Sequence, residues 1–150
     1  MIQRNLLDTN VLIALTSIEH PQYRSAQRWF DSRAGEEWGT CALTEVGYVR
    51  IVTNPASGPI VRSAPQAAAL LDDLARHPGY RRWRIADSWT TLTAPFATRI
   101  SGHKHVTDAC LLGLAIKEDG VLVTFDRGLR YLAGAEFARN LLVLDGRSGG

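Results

Sequence analysis

Short apolar runs alternate along this chain with segments of helical periodicity, and that alternation limits the fold more than any other feature. Asn5-Leu6-Leu7 is a strand-like run that ends at Asp8-Thr9-Asn10, and a helical segment comes next. Pro21 to Arg33 carries Tyr23, Ala26, Trp29 and Phe30 at helical spacing and is stopped by Gly35. Trp38 to Ala42 reads as a strand, and Thr44 is placed to cap a helix running to Val52 before Asn54-Pro55. Pro65 to Ala75 is helical, Trp83 to Ala86 reads as a strand, and Asp87 or Ser88 caps the segment after it. Val106 to Lys117 is a helix, and Val121 to Thr124 and Leu141 to Leu144 are strands. Strands that alternate with helices need crossover connections. The expected fold is therefore a three-layer α/β/α domain over residues 1–145, with a mainly parallel five-stranded sheet. Residues 146–150 read as a disordered polar tail.

The acids fall at particular places in this pattern. Asp8 closes the first strand, and Glu45 opens the helix after the second. Asp108 opens the helix leading to the strand at Val121, and Asp126 follows that strand. In a parallel sheet, strand C-termini and crossover-helix N-termini share one rim, the rim where such sheets bind ligands. Taken singly, Asp8 reads as a helix cap, Asp108 as a charge favouring its helix dipole, and Asp126 with Gly128 as a turn. Glu45 alone fits a capping arrangement. Together, four carboxylates on one rim repel one another unless a cation neutralises them. Oxygen donors without Cys or His partners suit hard ions, Mg²⁺ or Mn²⁺, which can activate water against a phosphodiester. Asn10 and Thr124 stand within two residues of an acid and suit supporting hydrogen bonds.

Four segments carry a resemblance. Leu6-Leu7-Asp8-Thr9-Asn10-Val11-Leu12-Ile13 resembles the opening motif of PIN-domain nucleases. Thr44-Glu45-Val46-Gly47-Tyr48-Val49-Arg50, Val106-Thr107-Asp108-Ala109 and Val123-Thr124-Phe125-Asp126-Arg127 resemble the other three, in order. A stand-alone domain of this length resembles the VapC-type toxins of bacterial toxin–antitoxin pairs. The resemblance implies Mg²⁺- or Mn²⁺-dependent endonucleolytic cleavage of RNA, a small VapB-like antitoxin and a homodimer. It also implies that Asp8, Glu45, Asp108 and Asp126 are the catalytic, metal-binding acids. Two further readings share the motifs, a housekeeping RNA-processing nuclease and a non-catalytic RNA-binding relative. An aspartyl phosphatase of the haloacid-dehalogenase type is disfavoured, because it needs a second Asp where Asn10 stands and a late Lys that Lys117 does not supply.

Net charge, at +2, does not announce a nucleic-acid binder, but Arg outweighs Lys, which occurs only at 104 and 117. Arg is the better fork for phosphate. Tyr80-Arg81-Arg82-Trp83-Arg84 mixes cations and aromatics, a composition suited to phosphates and unstacked bases, with Trp83 facing the core. Lys104 and His105 precede Asp108 on the acidic rim, and Arg127 adjoins Asp126, so all three are candidate RNA contacts. His103 and His105 lack the partners of a zinc site. Cys41 and Cys110 lie in apolar runs without paired spacing, which suits buried thiols in a reducing cytoplasm. No apolar stretch approaches the roughly 20 residues of a membrane helix.

Overall fold

The computed structural model describes residues 2–33 and 35–146. Strand β1 (Arg4–Leu7) lies inside a parallel sheet, flanked by β2 (Glu37–Gly39) on one side. On the other side stand β3 (Val121–Thr124) and then β4 (Leu141–Val143). Asn5 is opposite both Trp38 and Val121, and Leu122 is opposite Leu141. All three pairings are parallel, so all four strand C-termini point to one rim.

Alternation along the strands builds the layers. Leu6 and Leu122 enter one core with Phe96, Leu111, Leu112 and Leu129. Leu7 and Val123 point the other way, into a second core with Val11, Leu12, Trp29 and Tyr48. Each such side chain stabilises the fold by about 1.5–3 kcal/mol when fully buried, which a strand with a single buried face could not collect on both sides. The second core is closed by α1 (Thr9–Leu15), α2 (Tyr23–Ser32), α3 (Ala42–Val52) and α4 (Ala64–Ala75). Beneath the first lie α6 (Val106–Lys117) and α7 (Leu129–Ala133), and α5 (Trp89–Thr93) packs against α6. Helix α6 is buried continuously from Ala109 to Ala115, which explains its uniformly apolar sequence. The short α7 is an element that sequence periodicity does not signal.

The sheet has four strands among the described residues, not the expected five. Trp83 to Ala86 is the missing one. The chain does run beside β2, with a bridge between Trp38 and Tyr80 and N–H groups of Arg81 and Trp83 donating to the carbonyls of Trp38 and Thr40. It approaches so closely that a Cβ on Gly39 would lie 1.7 Å from the Arg81 carbonyl oxygen. The ladder stops after these contacts because β2 itself stops: the chain turns into α3 at Cys41. Cys41, not Thr44, is the N-cap, and Thr44 serves at the third helical position, where its hydroxyl accepts the Cys41 N–H at 3.0 Å. Ser88 caps α5, accepting from the Thr91 N–H. Both cysteines are buried and unpaired. Among the described residues no helix is long and apolar enough to cross a membrane. Of the expected tail, residues 147–150 lie outside the described residues.

Candidate active site

Asp8 stands where β1 ends, only 7% exposed. Its backbone N–H still pairs with the Val123 carbonyl, while its side chain caps α1. One carboxylate oxygen accepts the Thr9 N–H at 2.7 Å, and the other accepts the Thr124 hydroxyl at 2.7 Å. Thr124 is itself buried, and its oxygen accepts from the Asn10 side-chain amide at 3.2 Å and the Asp126 N–H at 3.0 Å. With both lone pairs occupied, the single hydroxyl proton has one place to go, the Asp8 carboxylate. Asn10 completes the knot by accepting the Phe125 N–H at 3.2 Å. The ends of β1 and β3 are thereby tied together; Thr124 touches Asp8 directly, whereas Asn10 reaches it only through Thr124.

Asp126 turns just beyond β3, its carboxylate accepting the Gly128 N–H at 2.8 Å. Asp108 projects from the first turn of α6 and is half-buried. Burial pushes the Asp108 carboxyl up to about 7, and the charges of Asp8 and Asp126 add to the rise. Burial also raises Asp8, against the pull of the Thr124 and Thr9 hydrogen bonds, with the Asp126 charge adding to it. Three aspartates from three elements thus feel one another electrostatically, as shared placement on one rim requires.

Glu45 is held differently. It lies on the first turn of α3, where one oxygen accepts the Thr40 hydroxyl at 2.8 Å and the other sits 3.5 Å from the Arg82 guanidinium. Thr40 also meets the Tyr80 hydroxyl at 2.8 Å. Sequence reasoning passed over Thr40. The available signal was its position at the end of β2, five residues before Glu45.

The other anticipated RNA contacts are dispersed. Arg81 is turned away, 3.8 Å from Glu37 and donating to the carbonyls of Pro78 and Tyr80. Trp83 is buried, as expected. His105 faces the Ser101 hydroxyl at 3.2 Å. Arg84 and Lys104 are exposed, as is Arg127 beside Asp126.

Among the described residues, no three acidic, histidine or cysteine side chains are drawn together into a ready-made metal cage. The donor set nevertheless has the chemistry of a hard divalent cation: carboxylate oxygens only, with two of the acids raised by burial and by crowding of like charge. A cation among them would relieve that repulsion.

Residues 6–135 match the family model described as PIN domain. The chain belongs to the PIN-domain family. This PIN domain is 37% identical over 130 residues to Ribonuclease VapC39 of Mycobacterium tuberculosis, spanning 87% of this chain and 94% of that protein. It is 36% identical over 134 residues to Ribonuclease VapC44 of the same organism, spanning 87% and 91%. The family fold extends to VapBC2 from Rickettsia felis, solved bound to a DNA fragment from their promoter. That match has a TM-score of 0.60 at 15% identity, covering 95% of this PIN domain and 100% of that chain. Mycobacterium tuberculosis VapC20, described as a sarcin-ricin loop cleaving toxin, superposes with a TM-score of 0.59 at 12% identity over 77% and 84%.

Proposed function

We propose that this PIN domain is a divalent-cation-dependent endoribonuclease that hydrolyses RNA phosphodiester bonds and acts as the toxin of a VapBC-type toxin–antitoxin pair. The observation that carries the chemistry is the convergence of Asp8, Asp108 and Asp126 on one rim of a parallel sheet, with Glu45 on the helix beside them. The observation that carries the biology is identity above one third, over nearly whole lengths, to proteins named Ribonuclease VapC.

Asp8, Glu45, Asp108 and Asp126 are the residues that would hold Mg²⁺ or Mn²⁺. The bound ion would supply a water of lowered pKa and neutralise charge on the phosphodiester. The chain's own residues prepare for this in distinct ways. Thr9 and Thr124 aim the Asp8 carboxylate, and the Asn10 amide keeps the Thr124 proton on Asp8. The Asp108 carboxyl is pushed up to about 7 in the metal-free protein, so cation binding there would compete with its proton. Arg82, Arg84, Lys104, His105 and Arg127 are the candidate phosphate contacts, whereas Arg81 is engaged elsewhere. The partner is a small VapB-like antitoxin that offers a basic side chain to the acids. The protein works as a homodimer in the cytoplasm.

The deciding experiment is RNA end mapping in cells briefly induced for wild type or Asp8→Asn, with purified protein assayed in EDTA and after Mg²⁺ or Mn²⁺ addition. New 5′ ends only with wild type, and activity only with added cation, are expected. Growth arrest on induction, relieved by co-expressing the neighbouring small protein, is expected of a toxin. Harmless overexpression of active enzyme in its native host would point to housekeeping RNA processing instead.

A further inference from the structure

One large aromatic side chain is held at the surface close to the acidic rim. Trp89, the first residue of α5, is 39% exposed, whereas Trp29, Trp38 and Trp83 are all buried. Its indole N–H donates at 2.9 Å to the carbonyl of Val106, two residues before Asp108. Val106, the first residue of α6, is exposed as well.

The ring's position is fixed by more than this bond. Ser88 caps α5 through the Thr91 N–H, and Thr93 bonds back to the Trp89 carbonyl at 2.9 Å. Helix α5 is seated so tightly on α6 that a Cβ on Gly113 would lie 2.3 Å from the Leu92 carbonyl oxygen. An exposed tryptophan normally loses rotamer freedom when it binds something, and here much of that loss is already met in folding. The exposed Thr90 and Thr91 hydroxyls meet that of Ser88 beside the ring, and Lys104 is exposed two residues before Val106. Lys104 has no partner among the described residues.

We propose that Trp89 is a stacking platform for an unpaired base of the RNA, next to the scissile phosphate. This rests on the ribonuclease reading above and adds to it one residue that grips an exposed base. A base offers a flat π-face to an aromatic ring without any demand on its sequence, and duplex pairing withholds that face. Trp89 thereby holds a base, while the arginines and Lys104 hold phosphate.

The test uses the full chain carrying Asp126→Asn, so that binding is not followed by cleavage, and a single-stranded RNA hexamer as probe. With the other three tryptophans buried, quenching of intrinsic fluorescence reports Trp89. Saturable quenching by the hexamer, and little by a blunt RNA duplex, is expected. Trp89→Leu should weaken hexamer binding roughly tenfold, the scale of one lost stack, while Trp89→Phe keeps most of the affinity. The salt dependence of binding should keep its slope in Trp89→Leu, because no phosphate contact is removed, whereas Lys104→Gln should flatten it. Equal hexamer affinity in wild type and a folded Trp89→Leu protein overturns the proposal. A Trp89→Leu variant that alters the sedimenting mass but not the affinity assigns the ring to a protein contact and overturns it equally. RNA cleavage by the Asp126→Asn protein would overturn the role given to that acid, and no cleavage by wild type would sink the ribonuclease reading itself.

Discussion

The acidic rim has two halves that are held by different means. On the Asp8 side, a buried threonine hydroxyl and backbone N–H groups hold the Asp8 and Asp126 carboxylates, and an asparagine amide holds the threonine. On the Glu45 side, one hydroxyl and one exposed guanidinium hold a carboxylate whose side chain is otherwise free to pivot. Buried hydrogen bonds are costly to break because the partners left behind have no water to replace them. Exposed ion pairs cost little to break because water and salt screen them. The Asp8 half therefore behaves as a preformed anvil. The Glu45 half is free to adjust.

Removing one of the three aspartates that feel one another's charge should have the largest consequence. Asp8→Asn, Asp108→Asn and Asp126→Asn are each expected to lower RNA cleavage by orders of magnitude while circular dichroism shows an intact fold. Glu45→Gln should cost less, since the charges that shift Asp8 and Asp108 come from the aspartates and not from Glu45. A fluorogenic RNA assay at saturating Mn²⁺ ranks them. Glu45→Gln as the most damaging of the four would reverse this ranking of the two sides of the rim.

The next largest effect is on stability against pH. Asp108 and Asp8 are both raised above their ordinary values, Asp108 to about 7. A carboxyl with a raised folded pKa holds its proton more tightly in the native protein than in the unfolded chain. Its stabilising contribution is complete below the unfolded value, about 4, and is lost as pH climbs through the folded value. In EDTA the melting temperature is therefore expected to fall between about pH 4 and 7 and then level off, as far as these two groups govern it. Asp108→Asn removes most of that descent and makes the metal-free protein more stable than wild type at pH 8. Mn²⁺ should restore the wild type, by about 2.7 kcal/mol at a hundredfold excess over its Kd. A wild-type curve that rises over this interval in EDTA would mean that the acids are structurally paired.

How much of this was legible beforehand differs between the halves in the same way. Asp8, Asn10, Thr124 and Asp126 lie in two short runs at strand ends, so local sequence already placed them together once β1 and β3 were read as neighbours. The parallel sheet and its crossover helices were legible because Leu6, Leu7, Leu122 and Val123 form continuous apolar strands. The Glu45 environment was not legible. Tyr80, Thr40 and Arg82 meet it through the approach of residues 80–83 to β2, a contact set by Gly39 lacking a side chain. The same approach made Trp83 to Ala86 look like a fifth strand, since its residues are β-prone and extended without completing a ladder. Trp89 was hidden for a related reason: five residues of helix give no periodicity from which to tell an exposed face from a buried one.

Thr124 offers a sharper probe of the rigid half. Thr124→Val is nearly isosteric but leaves the buried Asp8 carboxylate, the Asn10 amide and the Asp126 N–H each short of a partner. Stability should drop by about 1–3 kcal/mol, read from urea unfolding of the metal-free protein, with Thr124→Ser recovering most of it. A loss well under about 0.5 kcal/mol would show that water or local movement satisfies these groups, and that the rigid half is less rigid than its hydrogen bonds imply.

The smallest effect is expected at Arg82, and it separates two roles the residue could fill. Its guanidinium is 59% exposed and lies 3.5 Å from Glu45, so Arg82→Gln should change unfolding free energy by about 0–1 kcal/mol at most. Thr40 is buried, and Thr40→Val should cost more than Arg82→Gln even though both remove a partner of the same carboxylate. If Arg82 serves chiefly to hold Glu45, its loss leaves RNA binding and the salt dependence of that binding unchanged. If it leaves Glu45 to meet phosphate, the log–log salt slope should shrink by roughly 0.7, the value for one contact to a single strand. The Glu45 half was identified as the adjustable one because its ion pair is exposed and single, so the second outcome is expected. A destabilisation by Arg82→Gln that matched Thr124→Val, with an unchanged salt slope, would make the pair structural and erase the difference between the two halves of the rim.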